Sequence, residues 1–253
     1  MKRIVVKVGS AVLTQDGEIA LERMQALVDF LAELKAKNEV ILVSSGAVAG
    51  GYTKIKLDRN IIANKQALAA IGQPVLMGKY ARKFKNYNLI TAQVLVTAAN
   101  LNKADDIQRV RNTVETLLEN NVIPIVNEND ATATDELELG DNDQLSAYIA
   151  KHTNADMLII LSDIDAYYDA DPRTDADAKV LKVVTQVDEE ELSKEVTPNN
   201  VFATGGIVTK LKAASYLLDS GIDMFLASGF DLADVKSFTL HNTHKGGTLF
   251  TKA

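Results

Sequence analysis

Cysteine is absent from this 253-residue chain, which excludes both a disulfide framework and a thiolate-held zinc site. Histidine is scarce, at three residues. His152 ends an expected helix, and His241 and His244 lie in a polar C-terminal turn. With no third ligand near any of them, all three are expected to be surface residues and no protein metal site is expected. No stretch approaches the roughly 20 apolar residues of a membrane-spanning helix. The start of the chain, Met1-Lys-Arg-Ile-Val-Val, leads straight into a strand pattern, without the apolar core and cleavage site of a secretion signal. The expectation is a soluble, cytoplasmic protein with no membrane partner. Positive charge is also in deficit, the net charge being −7 and the pI near 5.1. Binders of phosphate backbones carry basic footprints, so nucleic acid is not expected as a partner. Neither GxGxxG nor GxxxxGK[ST] occurs, which removes the dinucleotide-fold and P-loop ways of holding phosphate.

What the chain does contain is a regular alternation. The β-branched runs Ile4–Val8, Val40–Val43, Ile90–Val96, Ile123–Val126, Met157–Leu161 and Asp223–Ala227 read as buried strands. Between them lie helical stretches at 21–37, 66–83, 104–119 and 210–219. In the first, Leu21, Met24, Leu27, Val28, Leu31 and Leu34 recur three and four apart with charges on the other face. Continuous apolar strands separated by helices predict an α/β protein, with an open, mostly parallel central sheet covered on both sides. No linker calls for a second unit, so residues 1–253 are expected to form one domain. The charge-rich segment 169–195 is expected to project as a hairpin or flap.

Several strand ends carry chemistry. Ile123–Val126 breaks off into Asn127-Glu-Asn-Asp130, and a second acidic-amide cluster, Asp141-Asn-Asp143, opens a helix. Open α/β sheets bind ligands at the carboxyl ends of their strands, and these groups suit a small zwitterionic substrate and phosphate-bound Mg²⁺. They equally suit a solvated turn beside a helix start. Lys7-Val-Gly-Ser10 puts an ammonium beside a glycine that lets phosphate approach backbone N–H groups. Ser44-Ser-Gly-Ala-Val-Ala-Gly-Gly51 offers small residues and the Ser45 hydroxyl after the second strand. Thr204-Gly-Gly-Ile-Val-Thr-Lys210 begins a helix whose amides suit nucleotide phosphates and whose lysine reaches toward a transferring phosphoryl group. Ser162-Asp163 and Tyr168-Asp-Ala-Asp-Pro-Arg173 follow the fifth strand, where a base or ribose would lie. Each of these, taken alone, is also an ordinary turn or helix start.

Taken together and in this order, the motifs resemble the amino-acid kinase family. Within it they resemble the branch that phosphorylates glutamate at the start of proline biosynthesis. The matching pieces are Val5-Val-Lys-Val-Gly-Ser10, Val43-Ser-Ser-Gly-Ala47, Lys65-Gln-Ala-Leu-Ala-Ala-Ile-Gly-Gln73, Ala92-Gln-Val-Leu95, Ile125-Val-Asn-Glu-Asn-Asp130, Gly140-Asp-Asn-Asp143, Asp171-Pro-Arg173 and Thr204-Gly-Gly-Ile-Val-Thr-Lys210. They span nearly the whole chain, and the NEND…GDND pair is the discriminating part. The resemblance implies a three-layer α/β/α sandwich and ATP-dependent transfer to the glutamate side-chain carboxylate. It implies that Lys7 and Lys210 neutralise the transferring group, with Asp143 holding both lysines. Lys7, Gly9, Ser10, Ser162, Asp163, Thr204, Gly205, Gly206, Ile207, Val208, Thr209 and Lys210 would line the ATP site. Ser45, Gly46, Asn127, Asp130 and Asn142 would bind glutamate. Mg²⁺ would sit mainly on nucleotide phosphates. Proline as a feedback inhibitor, a downstream reductase taking the acyl phosphate, and a homo-oligomer are further implications. So is the single-domain form, without the C-terminal RNA-modification-like (PUA) domain of many relatives. Two departures fall on the nucleotide side: Ala203 replaces a glycine, and Ser162-Asp-Ile-Asp-Ala-Tyr167 replaces Thr-Asp-x-x-Gly-Leu. Competing readings are a kinase of the same fold with another acceptor (acetylglutamate, aspartate, carbamate or a nucleoside monophosphate) and a catalytically silent amino-acid sensor.

Overall fold

The apolar runs pair side by side because their backbone N–H and C=O groups, once buried, have no partners except one another. A computed structural model of the chain describes residues 1–132, 142–193 and 206–252. Gly140, Asp141, Ala203, Thr204 and Gly205 lie outside the described residues. The first half contains β1 (Arg3–Val8), α1 (Ser10–Leu13), β2 (Thr14–Gln15), β3 (Glu18–Ile19), α2 (Leu21–Lys35), β4 (Glu39–Ser44), α3 (Ala47–Tyr52), α4 (Ile62–Phe84), β5 (Thr91–Val96), α5 (Ala98–Asn102), α6 (Ala104–Glu119) and β6 (Ile123–Glu128). The second contains α7 (Asn142–His152), β7 (Met157–Ser162), β8 (Val183–Val184), α8 (Glu189–Ser193), α9 (Ile207–Asp219), β9 (Asp223–Ser228), α10 (Ala233–His241) and β10 (Thr248–Phe250).

Eight strands form one sheet in the order β5-β6-β4-β1-β7-β9-β10-β8. The run from β5 to β9 is parallel throughout, while β10 is antiparallel to β9. β1 is central: the chain builds β4, β5 and β6 on one side of it and then crosses to β7 and β9 on the other. The crevice at such a reversal, at the strands' carboxyl ends, is where open α/β sheets take ligands.

The pleat sends alternate residues to opposite faces. Val5, Ile41, Val43, Leu158 and Ile160 face one core, packed by Val114 and Leu118 of α6, Leu145 and Ile149 of α7, and Leu211 and Leu217 of α9. Ile4, Val6, Val40, Leu42, Ile159 and Leu161 face the other. That core is packed by Met24, Leu27 and Leu31 of α2, Leu76, Tyr80 and Phe84 of α4, and Val235 of α10. This is the expected three-layer α/β/α sandwich.

Of the two forms expected for segment 169–195, its described part takes the hairpin: Tyr168 bridges Val180 antiparallel, the Asp169 N–H donates to Lys179 O at 3.0 Å, and Val183–Val184 joins the sheet edge beside β10, so it is not a free flap. His244 is not a plain surface residue either: its ring packs edge-on against Phe225 and Phe238, which stack on each other. His152 is half-buried and stacked on Tyr148.

Helices α3 and α4 touch backbone to backbone. A Cβ on Gly51 would overlap the Leu68 carbonyl, and one on Gly72 would overlap the Ala47 carbonyl and the Gly51 nitrogen. That contact draws the middle of α4 up to the turn after β4. Gly78, six residues along the same helix, has open space where its Cβ would stand. The same substitution should therefore have opposite signs at the two positions. Gly72→Ala should lower stability by about 1–3 kcal/mol through overpacking, and Gly78→Ala should raise it by about 0.5–1 kcal/mol. Urea unfolding checks both. Equal effects would contradict the close approach of the two helices.

Candidate active site

Lys7 lies two residues beyond Val5 on β1 and so points to the same face, toward α7 and α9. On α9, Lys210 stands beside Leu211 and one turn before Ala213 and Ala214, on the stripe that packs against the sheet. Asp143 sits in the first turn of α7. The pleat of one strand and the inward stripes of two helices therefore aim three charged side chains at one point. Lys7 Nζ is 2.5 Å from Asp143 Oδ1, and Lys210 Nζ is 3.0 Å from Asp143 Oδ2. The Thr209 hydroxyl donates to Asp143 Oδ2 at 2.8 Å, and Lys210 Nζ also donates to the Gly206 carbonyl at 3.3 Å. Lys7, Asp143 and Lys210 are 6%, 0% and 2% exposed, so water screens their charges little. Burial by itself raises the Asp143 pKa. The Lys7 and Lys210 ammoniums, with hydrogen bonds from Lys7 and Thr209, outweigh it and hold the carboxyl well below the usual carboxylate range. Among the described residues two ammoniums meet one carboxylate in this buried place, an arrangement that suits an anion.

Around this cluster stand ends of several elements. The Gly9 N–H is tied to Leu161 O at 3.1 Å, so Gly9 and Ser10 begin α1 directly over the β1–β7 pair. A Cβ at Gly9 would lie 3.7 Å from Lys7 Nζ. Gly206 caps α9, with Ile207, Val208 and Thr209 in its first turn. At the end of β7 the Ser162 hydroxyl donates to Asp163 at 2.9 Å, and no hydrogen bond or ion pair among the described residues joins this pair to the lysine cluster. The departure at 162–167 has a structural setting: Ala166 is buried, and Tyr167 packs over Phe250 and donates its N–H to the Thr248 hydroxyl.

A second cluster gathers on the β4–β6 side. Ser45 follows β4, with its N–H on Val8 O at 3.2 Å, and Gly46 adopts φ 106°, a left-handed conformation that suits glycine. Asn142 Nδ2 donates to Ser45 Oγ at 2.7 Å and to Asn127 Oδ1 at 2.9 Å. Asp130 stands slightly apart, on a cavity of about 160 Å³ that Gln73, Gln93, Glu128 and Asn129 also line. Burial pushes its carboxyl up to about 6, with the Lys65 ammonium only partly offsetting the shift. Sequence reasoning missed Gln73 and Gln93. The available signal was Gln73 itself, a polar residue on the α4 stripe that otherwise buries Leu68, Ala69, Gly72, Leu76 and Tyr80.

A family model described as "Amino acid kinase family" matches residues 2–228. The chain is 52% identical to a glutamate 5-kinase of Wolinella succinogenes, covering 100% of this chain and 98% of that one. It is 51% identical to a glutamate 5-kinase of Leishmania donovani, covering 99% and 95%. Among solved structures, an isopentenyl phosphate kinase superposes with TM-score 0.71 at 16% identity, over 98% of this chain and 100% of that one, a likeness of fold alone.

Removing one member of the charged cluster should do more harm than removing all of it. Asp143→Asn leaves two buried ammoniums without their carboxylate and should cost about 3–5 kcal/mol, whereas K7M/D143L/K210M should unfold at or above the wild-type midpoint. The Asp143 carboxyl is depressed, so its contribution is complete above the unfolded pKa of about 3.9 and is lost only as pH falls below that toward the folded value. Urea titrations of the three proteins at neutral pH provide the check. A mild Asp143→Asn would contradict the ion pairs as a structural element.

Proposed function

This chain belongs to the amino acid kinase family, and from that premise we propose that it transfers the γ-phosphoryl group of ATP to the side-chain carboxylate of L-glutamate. The product is L-glutamyl 5-phosphate, the first intermediate from glutamate toward proline. The observation that carries the proposal is the buried Lys7–Asp143–Lys210 cluster beside the Ser45–Asn127–Asn142 group.

The nucleophile is the γ-carboxylate, ionised at neutral pH because its pKa is about 4.3, so no general base has to deprotonate it. Catalysis then reduces to alignment and charge. Lys7 and Lys210 meet the equatorial oxygens of the phosphoryl group as it leaves ADP, and Asp143 fixes both ammoniums so that little reorganisation is needed. Gly206, Ile207, Val208 and Thr209, together with Gly9 and Ser10, line the phosphates, and Thr204 and Gly205 join them by motif. Ser162 and Asp163 stand where ribose or base would lie. Ser45, Gly46, Asn127 and Asn142 hold the amino acid, and Asp130 faces its ammonium. The substrate groups thus fall on the β4–β6 side of β1 and the nucleotide groups on the β7–β9 side, within one domain. Among the described residues no three acidic or histidine side chains gather for a cation, and Asp143 is engaged by two lysines. Mg²⁺ would be carried on phosphate oxygens and water, where it would neutralise phosphate charge.

The wider setting belongs to the same proposal. An acyl phosphate hydrolyses readily, so a reductase should consume it promptly. Proline, sharing the α-amino and carboxylate groups of glutamate, would act as feedback inhibitor. We place the enzyme in the cytoplasm as a homo-oligomer. Among the described residues no helix is long and apolar enough to cross a membrane.

Three outcomes test the proposal. ADP release with ATP and Mg²⁺ should require L-glutamate in a panel that includes aspartate, acetylglutamate, carbamate and UMP, and a preference for any other member would overturn the assignment. Lys210→Ala should lower kcat by about 10²–10³-fold while the protein stays folded, and near-normal turnover would remove Lys210 from the mechanism. Asp130 must be ionised to pair with an ammonium, so the KM for glutamate should climb as pH falls through about 6 while the KM for ATP stays level. Asp130→Ala should abolish that break and hold the glutamate KM at the high value that the wild type reaches only at low pH. A shared rise in both KM values would sink the role given to Asp130.

A further inference from the structure

Five polar side chains form one hydrogen-bonded file from the cavity wall to the lysine cluster, and every amide in it points the same way. Gln73 Nε2 donates to Gln93 Oε1 at 3.2 Å, and Asn127 Nδ2 donates to Gln73 Oε1 at 3.1 Å. Asn142 Nδ2 then donates to Asn127 Oδ1 at 2.9 Å and to Ser45 Oγ at 2.7 Å. Asn127 Oδ1 also accepts from the N–H of Glu128 at 2.9 Å. Gln73 and Asn127 are 7% and 1% exposed, so water is a poor substitute partner for either.

A side-chain amide carries its donors and its acceptor on opposite sides, so fixing one end fixes the other. Asn142 uses its NH₂ group on Ser45 and Asn127. Its Oδ1 is left as a buried acceptor without a hydrogen-bond partner among the described residues. Ser45 accepts through its oxygen, so its own proton is left to donate. The site therefore presents an acceptor next to a donor. That pair matches an ammonium next to a carboxylate, the two ends of an α-amino acid. A flipped Asn127 would turn its NH₂ toward that of Asn142, and Asn142 would have to rotate and show a donor where its acceptor now stands.

We propose that Gln73 is a positioning residue that, through Asn127, fixes the Asn142 carbonyl toward the substrate ammonium and so selects an amino acid over the same dicarboxylate lacking the amino group. The inference rests on the glutamate reading above and assigns a cause to its specificity. Gln73 touches no reacting atom. Its position follows from the α3–α4 backbone contact at Gly51 and Gly72, the residue before it. Gln93, by contrast, stands at the exposed end of the file, where water can replace it.

The test compares Gln73→Met, which keeps volume and removes both hydrogen bonds, with the wild-type protein. Glutamate KM, ATP KM and the inhibition constant of glutarate (glutamate without its amino group) are measured for each. Gln73→Met should raise the glutamate KM about 10- to 100-fold, the scale of a lost hydrogen bond to a charged group. The ATP KM and glutarate inhibition should stay within about twofold, so the preference for glutamate over glutarate collapses. Equal weakening of glutamate and glutarate in Gln73→Met, or no change in either, would overturn the proposal and leave Gln73 a space-filler. A second readout uses the wild-type protein alone. The side-chain amide hydrogens of Asn127 and Asn142 should exchange slowly with solvent in NMR spectra, and fast exchange would overturn the file whether or not Gln73→Met folds. Slow exchange in a protein that does not phosphorylate glutamate would remove the kinase reading and keep the file.

Discussion

Two ammonium groups share one carboxylate in a space that water hardly reaches, and most of the site follows from that arrangement. An isolated charge would be too costly to bury there. Asp143 makes Lys7 and Lys210 tolerable, but it neutralises only one of them. Among the described residues the cluster carries one positive charge more than negative, held in place before any ligand arrives. A phosphoryl group passing between two oxygens spreads charge over its outer oxygens, and fixed cations in a poorly screened site stabilise it far better than mobile ones in water. Such a cluster adds little to stability, because replacing buried ion pairs with apolar groups of similar volume is often neutral or stabilising.

The sandwich brings these groups together without special devices. Lys7 inherits its direction from the pleat of β1, and Asp143 and Lys210 inherit theirs from the inward stripes of α7 and α9. All three stand at the carboxyl edge of the sheet, where the chain reverses its direction of travel across β1. The amide file is a different kind of element. It is built from neutral groups that gain by being satisfied and aligned, and it ends in the Asn142 carbonyl, which has no hydrogen-bond partner among the described residues. Charge is set on one side of β1 and hydrogen-bond polarity on the other.

Much of this was legible in the sequence, and what was not has physical reasons. Strands such as Ile4–Val8 and Met157–Leu161 are continuous β-branched runs, and burial on both faces writes that pattern directly. α6 also coincides with its expected span, 104–119, because its apolar positions recur cleanly. Helix α9 begins three residues before the expected start, since Ile207–Thr209 carry strand-like propensities that packing overrides. The segment 169–195 read as a hairpin or flap, and only its edge strand went unseen, because two residues are too short to show any period. Lys7, Lys210 and Asp143 could be picked out by residue type and motif, but their meeting at one carboxylate is a tertiary fact separated by 67 residues or more of chain. The Gln73–Asn127 contact, 54 residues apart, left only the trace of a glutamine on an apolar stripe.

The most direct measurement is a crystal structure with a non-hydrolysable ATP analogue and glutamate bound together. The account predicts both Nζ atoms, of Lys7 and Lys210, within hydrogen-bonding distance of γ-phosphate oxygens while still paired to Asp143, with the glutamate γ-carboxylate in line behind the phosphorus. A γ-phosphate seated elsewhere, with the lysine–carboxylate cluster untouched, would contradict it.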